Sequence, residues 1–192
     1  MTRVLGLDLS LTATGYAYSE EVVGAWRVKQ RGEARLVLLR DAVLNVAEVA
    51  DVVVLEGYSY ASPNQAHQIG ELGGVVRVML HERHIPFVEV APATLKRFAT
   101  GKGNATKDAV LAAAIRRFGF EGSDNNEADA WLLRAMGLEH YLGSSIPLRP
   151  AYMAEALERV DWPELDIPRV TEAERAEAQR VRGVIAEADS TR

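Results

Sequence analysis

Apolar residues follow two kinds of pattern along the first 143 residues. Short apolar runs predict β-strands at about 3–9, 14–18, 22–28, 51–56 and 85–90. Elsewhere apolar side chains recur every three or four positions and predict helices over about 31–50, 64–83, 92–98, 106–118 and 124–142. Three strands followed by alternating helices and strands predict an α/β fold, with a mixed five-stranded sheet and helices on both faces.

The pattern changes after Gly143. Prolines interrupt the chain at positions 147, 150, 163 and 168, and residues 171–188 are rich in Ala, Glu and Arg. We therefore interpret residues 1–143 as one domain and residues 144–192 as a helical C-terminal extension.

Composition excludes several classes of protein. The chain has no cysteine, which excludes disulfides, thiolate zinc sites and cysteine nucleophiles. No signal peptide is visible at the N-terminus, and no apolar run approaches the ~18 residues of a membrane span. We expect a cytoplasmic protein with no membrane partner.

Charge is unevenly distributed along the chain. The net charge is −5, yet six of the seven charged residues between Thr94 and Arg117 are basic. A compact basic patch in an acidic protein favours specific contacts to phosphate over a general coating of DNA.

Three carboxylates stand in apolar surroundings. Asp8 interrupts the first strand, Glu56 ends the fourth, and Asp129 lies on an apolar helix. Taken singly, each carboxylate is explained equally well by a structural role and by a functional one. If the first and fourth strands are neighbours, however, Asp8 and Glu56 reach one sheet edge, and a helix across it can bring in Asp129. Oxygen ligands of this kind suit Mg²⁺ or Mn²⁺, and two such ions would serve phosphodiester hydrolysis.

Five short motifs carry a resemblance to a known family. The sequence resembles the RuvC family of Holliday-junction resolvases, within the RNase H-like superfamily, from about Val4 to Gly143. This resemblance implies an RNase H-like fold of order βββαβαβα, and its last two motifs look most like the bacteriophage branch. The motifs are GLDLSLTATGY at 6–16, VLEGY at 54–58, IGELGG at 69–74, TGKGNATK at 100–107 and NEADA at 126–130.

The resemblance also implies roles and partners. Asp8, Glu56 and Asp129 match the metal-binding carboxylates, while Lys96 and Lys107 match basic positions beside the scissile phosphate. The expected enzyme is a homodimer that makes paired nicks in four-way DNA junctions, with Mg²⁺ as cofactor, Mn²⁺ as a substitute and two ions per site. Forked or flapped DNA are further possible substrates, and the enzyme would work in a bacterial cell or in the host of a phage.

One position departs from the family pattern. Many members carry an acid three residues before the last aspartate, where this chain has Asn126. An amide oxygen at that position still faces the same side of the helix and can bind a hard cation. The spacing of Asp124 and Glu127 favours a capping box that starts the helix. Whether Asn126, Glu127 or Asp124 completes the metal site stays open at this point.

Further candidates for DNA contact lie in two loops. Either Tyr58 or Tyr60, after Glu56, can stack on a base near the junction centre, or it can pack on the second long helix. Lys102 lies in a glycine-rich segment that lacks the spacing of a nucleotide-binding P-loop, so it contacts DNA phosphate or is simply solvated.

The main hypothesis is a metal-dependent endonuclease of branched DNA, active in recombination and repair. A nuclease of RNA precursors, like the YqgF branch of the same superfamily, is the nearest alternative. A non-catalytic junction-binding protein is kept open by Asn126. An ATPase of the actin and sugar-kinase class shares a similar opening motif, but 192 residues are too few for its two domains.

Overall fold

The computed structural model describes residues 2–57, 63–143 and 150–165, with only the backbone described for residues 63–69. Its strands are β1 (Val4–Asp8), β2 (Thr14–Ala17), β3 (Val23–Trp26), β4 (Val52–Glu56) and β5 (Phe87–Val90). Its helices are α1 (Gly32–Ala47), α2 (Pro63–Glu82), α3 (Pro92–Thr100), α4 (Lys107–Phe118), α5 (Asn125–Leu142) and α6 (Ala151–Leu157).

The strands form one mixed sheet in the order β3-β2-β1-β4-β5. β1 runs parallel to β4 and β4 parallel to β5, while β2 is antiparallel to both of its neighbours. The α/β class, the five strands and the predicted sequence of elements are confirmed. β3 is shorter than predicted and ends at Trp26, because its partner β2 begins at the paired Thr14.

Each face of the sheet has its own apolar core. Alternate residues of β1 and β4 point to opposite faces, as the two-residue period of a strand requires. Leu5, Leu7, Val53 and Leu55 pack under α1 and α2, whereas Val4, Val52 and Val54 pack under the other helices. The central strands are therefore buried on both sides, which explains their unbroken apolar sequence.

Helix α5 lies unusually close to the sheet. A Cβ atom at Gly6 of β1 would come within 2.1 Å of the Ala130 carbonyl oxygen, and one at Gly15 of β2 within 2.0 Å of the Asn126 carbonyl oxygen. Only glycine permits this approach at either strand. The first half of α5 is consequently pressed against β1 and β2.

The C-terminal extension contributes to the same core. Met153, Ala156 and Leu157 of α6 are buried in the cluster that contains α3, α4 and α5. The predicted boundary at Gly143 stays a prediction, but residues 150–165 are packed against the rest of the chain. In the described part of the chain, no helix has the length and apolar character needed to cross a membrane.

Candidate active site

Strand register brings two of the predicted carboxylates together. Leu7 of β1 pairs with Leu55 of β4, so Asp8 and Glu56, the next residues, end adjacent parallel strands at the same edge. Asp8 is buried, with 8% of its surface exposed, and Glu56 is partly buried.

The third carboxylate comes from α5. Because the Ala130 carbonyl lies directly over Gly6, the preceding residue Asp129 is placed above the end of β1. It is partly buried between the apolar residues Ala128 and Ala130. The structure thus brings Asp8, Glu56 and Asp129 to one place, from three elements far apart in sequence.

Burial raises the pKa of all three groups, and the charge of other carboxylates in the site adds to the rise at Glu56 and Asp129. Burial raises the pKa of Asp8 to about 6, although a hydrogen bond with Glu56 and the charge of Lys107 oppose the rise. Burial also raises the pKa of Asp129 to about 7, and the negative charge of Asp8 adds to the effect. The pKa of Glu56 is raised well above its ordinary value by burial and by the charges of Asp8 and Asp129.

Asp8 and Glu56 lie close enough to interact directly as a pair of carboxyl groups. The contact lowers the pKa of Asp8 and raises that of Glu56, while burial raises the pKa of both groups. Two buried carboxyl groups that interact in this way favour the binding of positive charge.

Two lysines supply positive charge beside the carboxylates. Lys107 is the first residue of α4 and lowers the pKa of both Asp8 and Asp129. Lys96, on α3, lowers the pKa of Glu56 and Asp129. Both predicted lysines therefore lie within electrostatic reach of the carboxylates, and Lys107 is exposed to solvent.

Lys102 lies in the turn between α3 and α4. The Thr100 hydroxyl accepts a hydrogen bond from the Lys102 amide at 3.1 Å and donates to the Lys96 carbonyl at 2.7 Å. The turn is therefore folded back onto α3. Lys102 itself is exposed, and it is not among the charges that shift the pKa of Asp8 or Asp129.

The start of α5 shows what Asp124 does. Its carboxylate accepts hydrogen bonds from the amides of Asn126 at 2.8 Å and Glu127 at 3.2 Å, which confirms it as the helix cap. Arg27 forms an ion pair with its other oxygen at 2.7 Å. Because both of its oxygens have partners, Asp124 acts as the cap of α5. Its charge also raises the pKa of Asp8.

Asn126 lies at the same end of α5. It is partly buried, and its backbone carbonyl is the group that approaches Gly15. Its position three residues before Asp129 puts both on one side of the helix. Tyr58 and Tyr60 lie outside the described residues.

The donor set suits a hard divalent cation in its chemistry. The three carboxyl groups are crowded, and burial raises the pKa of each, so a bound cation would offset the cost of ionising them. As the side chains stand, however, no three His, Cys, Asp or Glu residues of the described ranges lie close enough to hold an ion together.

Sequence reasoning missed the residues that support this site. Gly6 and Gly15 allow α5 to approach, and Arg27 fixes its cap. Glycines inside strand patterns are a signal of close backbone approach, but nothing in the sequence tells which helix approaches.

Comparison with known proteins agrees with this architecture. A T. thermophilus RuvC structure in complex with a Holliday junction substrate superposes with a TM-score of 0.62 at 21% identity, covering 77% of this chain and 100% of that one. A second Thermus thermophilus RuvC structure gives a TM-score of 0.56 at 21% identity and covers 76% of this chain and 99% of that one. At this identity the likeness supports the fold.

Sequence comparison identifies the family. The crossover junction endodeoxyribonuclease RuvC of Gloeobacter violaceus is 26% identical over 155 residues, which span 73% of this chain and 90% of the relative. That of Thermomicrobium roseum is 34% identical over 118 residues, 55% of this chain and 72% of the relative. The sequence model of the family matches residues 4–130, a range that contains all three carboxylates. The chain therefore belongs to the crossover junction endodeoxyribonuclease RuvC family.

Proposed function

We propose that the protein is a structure-specific endonuclease that hydrolyses phosphodiester bonds in four-way DNA junctions. The main support is that the family match includes Asp8, Glu56 and Asp129, which the fold gathers at one sheet edge. The catalytic carboxylates are these three, and Lys107 is the basic residue that acts with them.

A divalent cation is the cofactor that this donor set would take. Asp8, Glu56 and Asp129 would hold it, with the Asn126 amide oxygen as a neutral fourth ligand. When bound, Mg²⁺ or Mn²⁺, as a pair in each site, supplies an activated water and stabilises the leaving oxygen. We propose Mg²⁺ as the natural ion because all of these ligands are oxygen atoms.

The protein's own groups prepare the reaction in three ways. The buried carboxylates concentrate negative charge at a point where only cations offset it. Lys107 and Lys96 lie within electrostatic reach of the carboxylates, where they can attract a DNA phosphate toward them. The capped α5 fixes Asp129 relative to Asp8, so little reorganisation is needed when DNA arrives.

We further propose that the active form is a homodimer. A four-way junction is resolved only when two strands of like polarity are cut, and this chain contributes one set of carboxylates. Helix α2 is the candidate interface, since Val78 on it is 58% exposed, the most exposed large apolar residue of the described part. A bacterial or phage-infected cytoplasm is the proposed location, where the DNA substrate is found.

The decisive experiment measures cleavage of a four-way DNA junction by the purified full chain with Mg²⁺ or Mn²⁺. We expect paired nicks from the wild type and none from Asp8→Asn, which should still bind the junction. Asp161→Asn, a matched change at an exposed acid, should cut like the wild type. Cutting by Asp8→Asn would contradict the assignment of the site.

The same assay separates the two alternatives. Structured RNA cut in preference to junction DNA would favour an RNA-processing nuclease. Tight junction binding with no product under either ion would indicate a binding protein. The three clustered carboxylates favour the DNA endonuclease over the latter, because their repulsion is costly in a protein that only binds DNA.

A further inference from the structure

The segment that joins β3 to α1 is strongly basic. Arg27, Lys29 and Arg31 are exposed on it, while Val28 packs against the core beneath α1 and α2. Arg35 follows in the first part of α1, and Glu33 is the single acid from 27 to 35. We refer to Arg27, Lys29, Arg31 and Arg35 as the basic row.

The basic row begins at the edge of the sheet that holds the carboxylates. Ala25 of β3 pairs with Gly15, and Gly15 pairs with Asp8, so the three residues are level with one another. Two strand spacings separate Ala25 from Asp8, which is about 10 Å. Arg27 therefore emerges close to the active site and the row leads away from it.

The far part of the row also remains near the loop that follows Asp8. Arg31, Arg35 and Leu11 line one open cavity of about 270 Å³, which Glu71 of α2 also borders. Leu11 is three residues from Asp8 in sequence. Arg31 and Arg35 therefore lie beside the loop that leaves the site.

The backbone of this segment is fixed at both ends. Arg27 pairs with Asp124 at 2.7 Å, and Arg35 donates a hydrogen bond to the Gln30 carbonyl at 2.5 Å. Lys29 and Arg31 form no ion pair with any residue in the described ranges. Their charges are therefore available to an anion, on a segment that the contacts of Arg27 and Arg35 hold at its two ends.

The location of the row in the sheet indicates its ligand. Lys96 and Lys107 follow β5, at one end of the strand order, and the basic row follows β3, at the other end. The carboxylates lie between them, on β1 and β4. A branched DNA sends duplex arms in different directions from the point of cutting, so positive charge on both sides of the site matches its phosphates.

We propose that the basic row, through Lys29 and Arg31, binds the phosphate backbone of a DNA arm that leaves the active site past β3. This inference rests on the proposed function, since it assigns the substrate's second arm to a surface outside the carboxylate site. Contacts of this kind position DNA and carry no base specificity.

The test compares two pairs of charge-removing substitutions in the full chain. Lys29→Gln/Arg31→Gln removes the proposed contacts. Arg83→Gln/Arg159→Gln removes the same charge from two exposed arginines that follow α2 and α6, outside the basic segment of residues 94–117. Binding to a four-way junction of fixed sequence is measured without divalent ions at several salt concentrations, and thermal melts verify folding. Cleavage is measured separately with Mg²⁺.

We expect the basic-row variant to lose affinity by about tenfold or more at low salt. Two lost phosphate contacts should also reduce the slope of log affinity against log salt by about 1.8. Cleavage should fall at subsaturating DNA and recover when DNA saturates the enzyme. The control pair should bind and cut as the wild type does.

Three results would overturn the inference, and they differ in what else they overturn. Affinity and slope equal to those of the control pair would remove the role of the row and leave the proposed function intact. Loss of cleavage at saturating DNA with unchanged affinity would assign these residues to the reaction itself. A wild type that neither binds nor cuts the junction would refute both proposals together.

Discussion

Replacing Asp129 by asparagine should stabilise the protein in the absence of divalent ions. The pKa of Asp129 is raised from 3.8 to about 7 by burial and by the charge of Asp8. A carboxyl group whose pKa is raised by folding favours the folded state while it is protonated. That contribution is fully present below about pH 4, and it is lost as the pH rises through about 7.

The expected size follows from the shift. A rise of about three in the pKa corresponds to a free-energy difference of about 4 kcal/mol between the two protonation states, at about 1.36 kcal/mol for each pKa unit. Asp129 is only partly buried, so solvent screening reduces this value, and we expect a net gain of about 2 kcal/mol at pH 8. At pH 4 the wild-type carboxyl is protonated in the folded chain, and the gain should be close to zero.

The assay is urea unfolding in the presence of a chelator, at pH 4 and at pH 8. Wild type, Asp129→Asn and the exposed control Asp161→Asn are compared at both values. Adding Mg²⁺ at pH 8 should stabilise the wild type more than the Asp129→Asn variant, because the variant has lost one anionic ligand. A variant that is less stable than the wild type by the same amount at both pH values would refute the reasoning, since it would show that the carboxylate is not under electrostatic stress.

Three further outcomes follow from packing and charge. Gly6→Ala should destabilise the chain by about 3 kcal/mol or more in urea unfolding, because its Cβ would overlap the Ala130 carbonyl, whereas Gly74→Ala on α2, with no atom within 4 Å, should not destabilise it. Lys107→Gln should slow single-turnover cleavage at saturating DNA by roughly 100-fold, with Lys107→Arg less affected. Tyr152→Ala should lower stability by about 2 kcal/mol, and Tyr152→Phe by less, in thermal denaturation.

The fold and the carboxylate cluster could be predicted because the relevant signals are local. An acid that interrupts a strand and another that ends one are both visible in sequence, and parallel pairing of the two strands places them at one edge. The prediction of Asp124 as the cap of α5 also succeeded, because a cap and the amides it accepts from are two or three residues apart.

Long-range packing could not be predicted in the same way. The contact of Arg27 with Asp124 joins residues 97 positions apart, and neither residue signals the other. The packing of α6 could not be predicted either, because the prolines around it indicated an extension separate from the domain. Its Tyr152 ring nevertheless covers Gly101, whose left-handed backbone ends α3, and Arg117 of α4 donates to the Tyr152 hydroxyl.

Through this packing, α6 contacts the segment that carries the two lysines of the site. Gly101 begins the turn that leads from Lys96 to Lys107, so the Tyr152 ring rests on the connection between the two lysines that flank the carboxylates. Weakening that contact should lower both DNA affinity and stability. The pKa of Asp129 should not change, because burial and the charges of Asp8, Lys107 and Lys96 determine it. Loss of stability in Tyr152→Ala without any change in junction affinity, measured well below the melting temperature, would show that α6 supports the core alone.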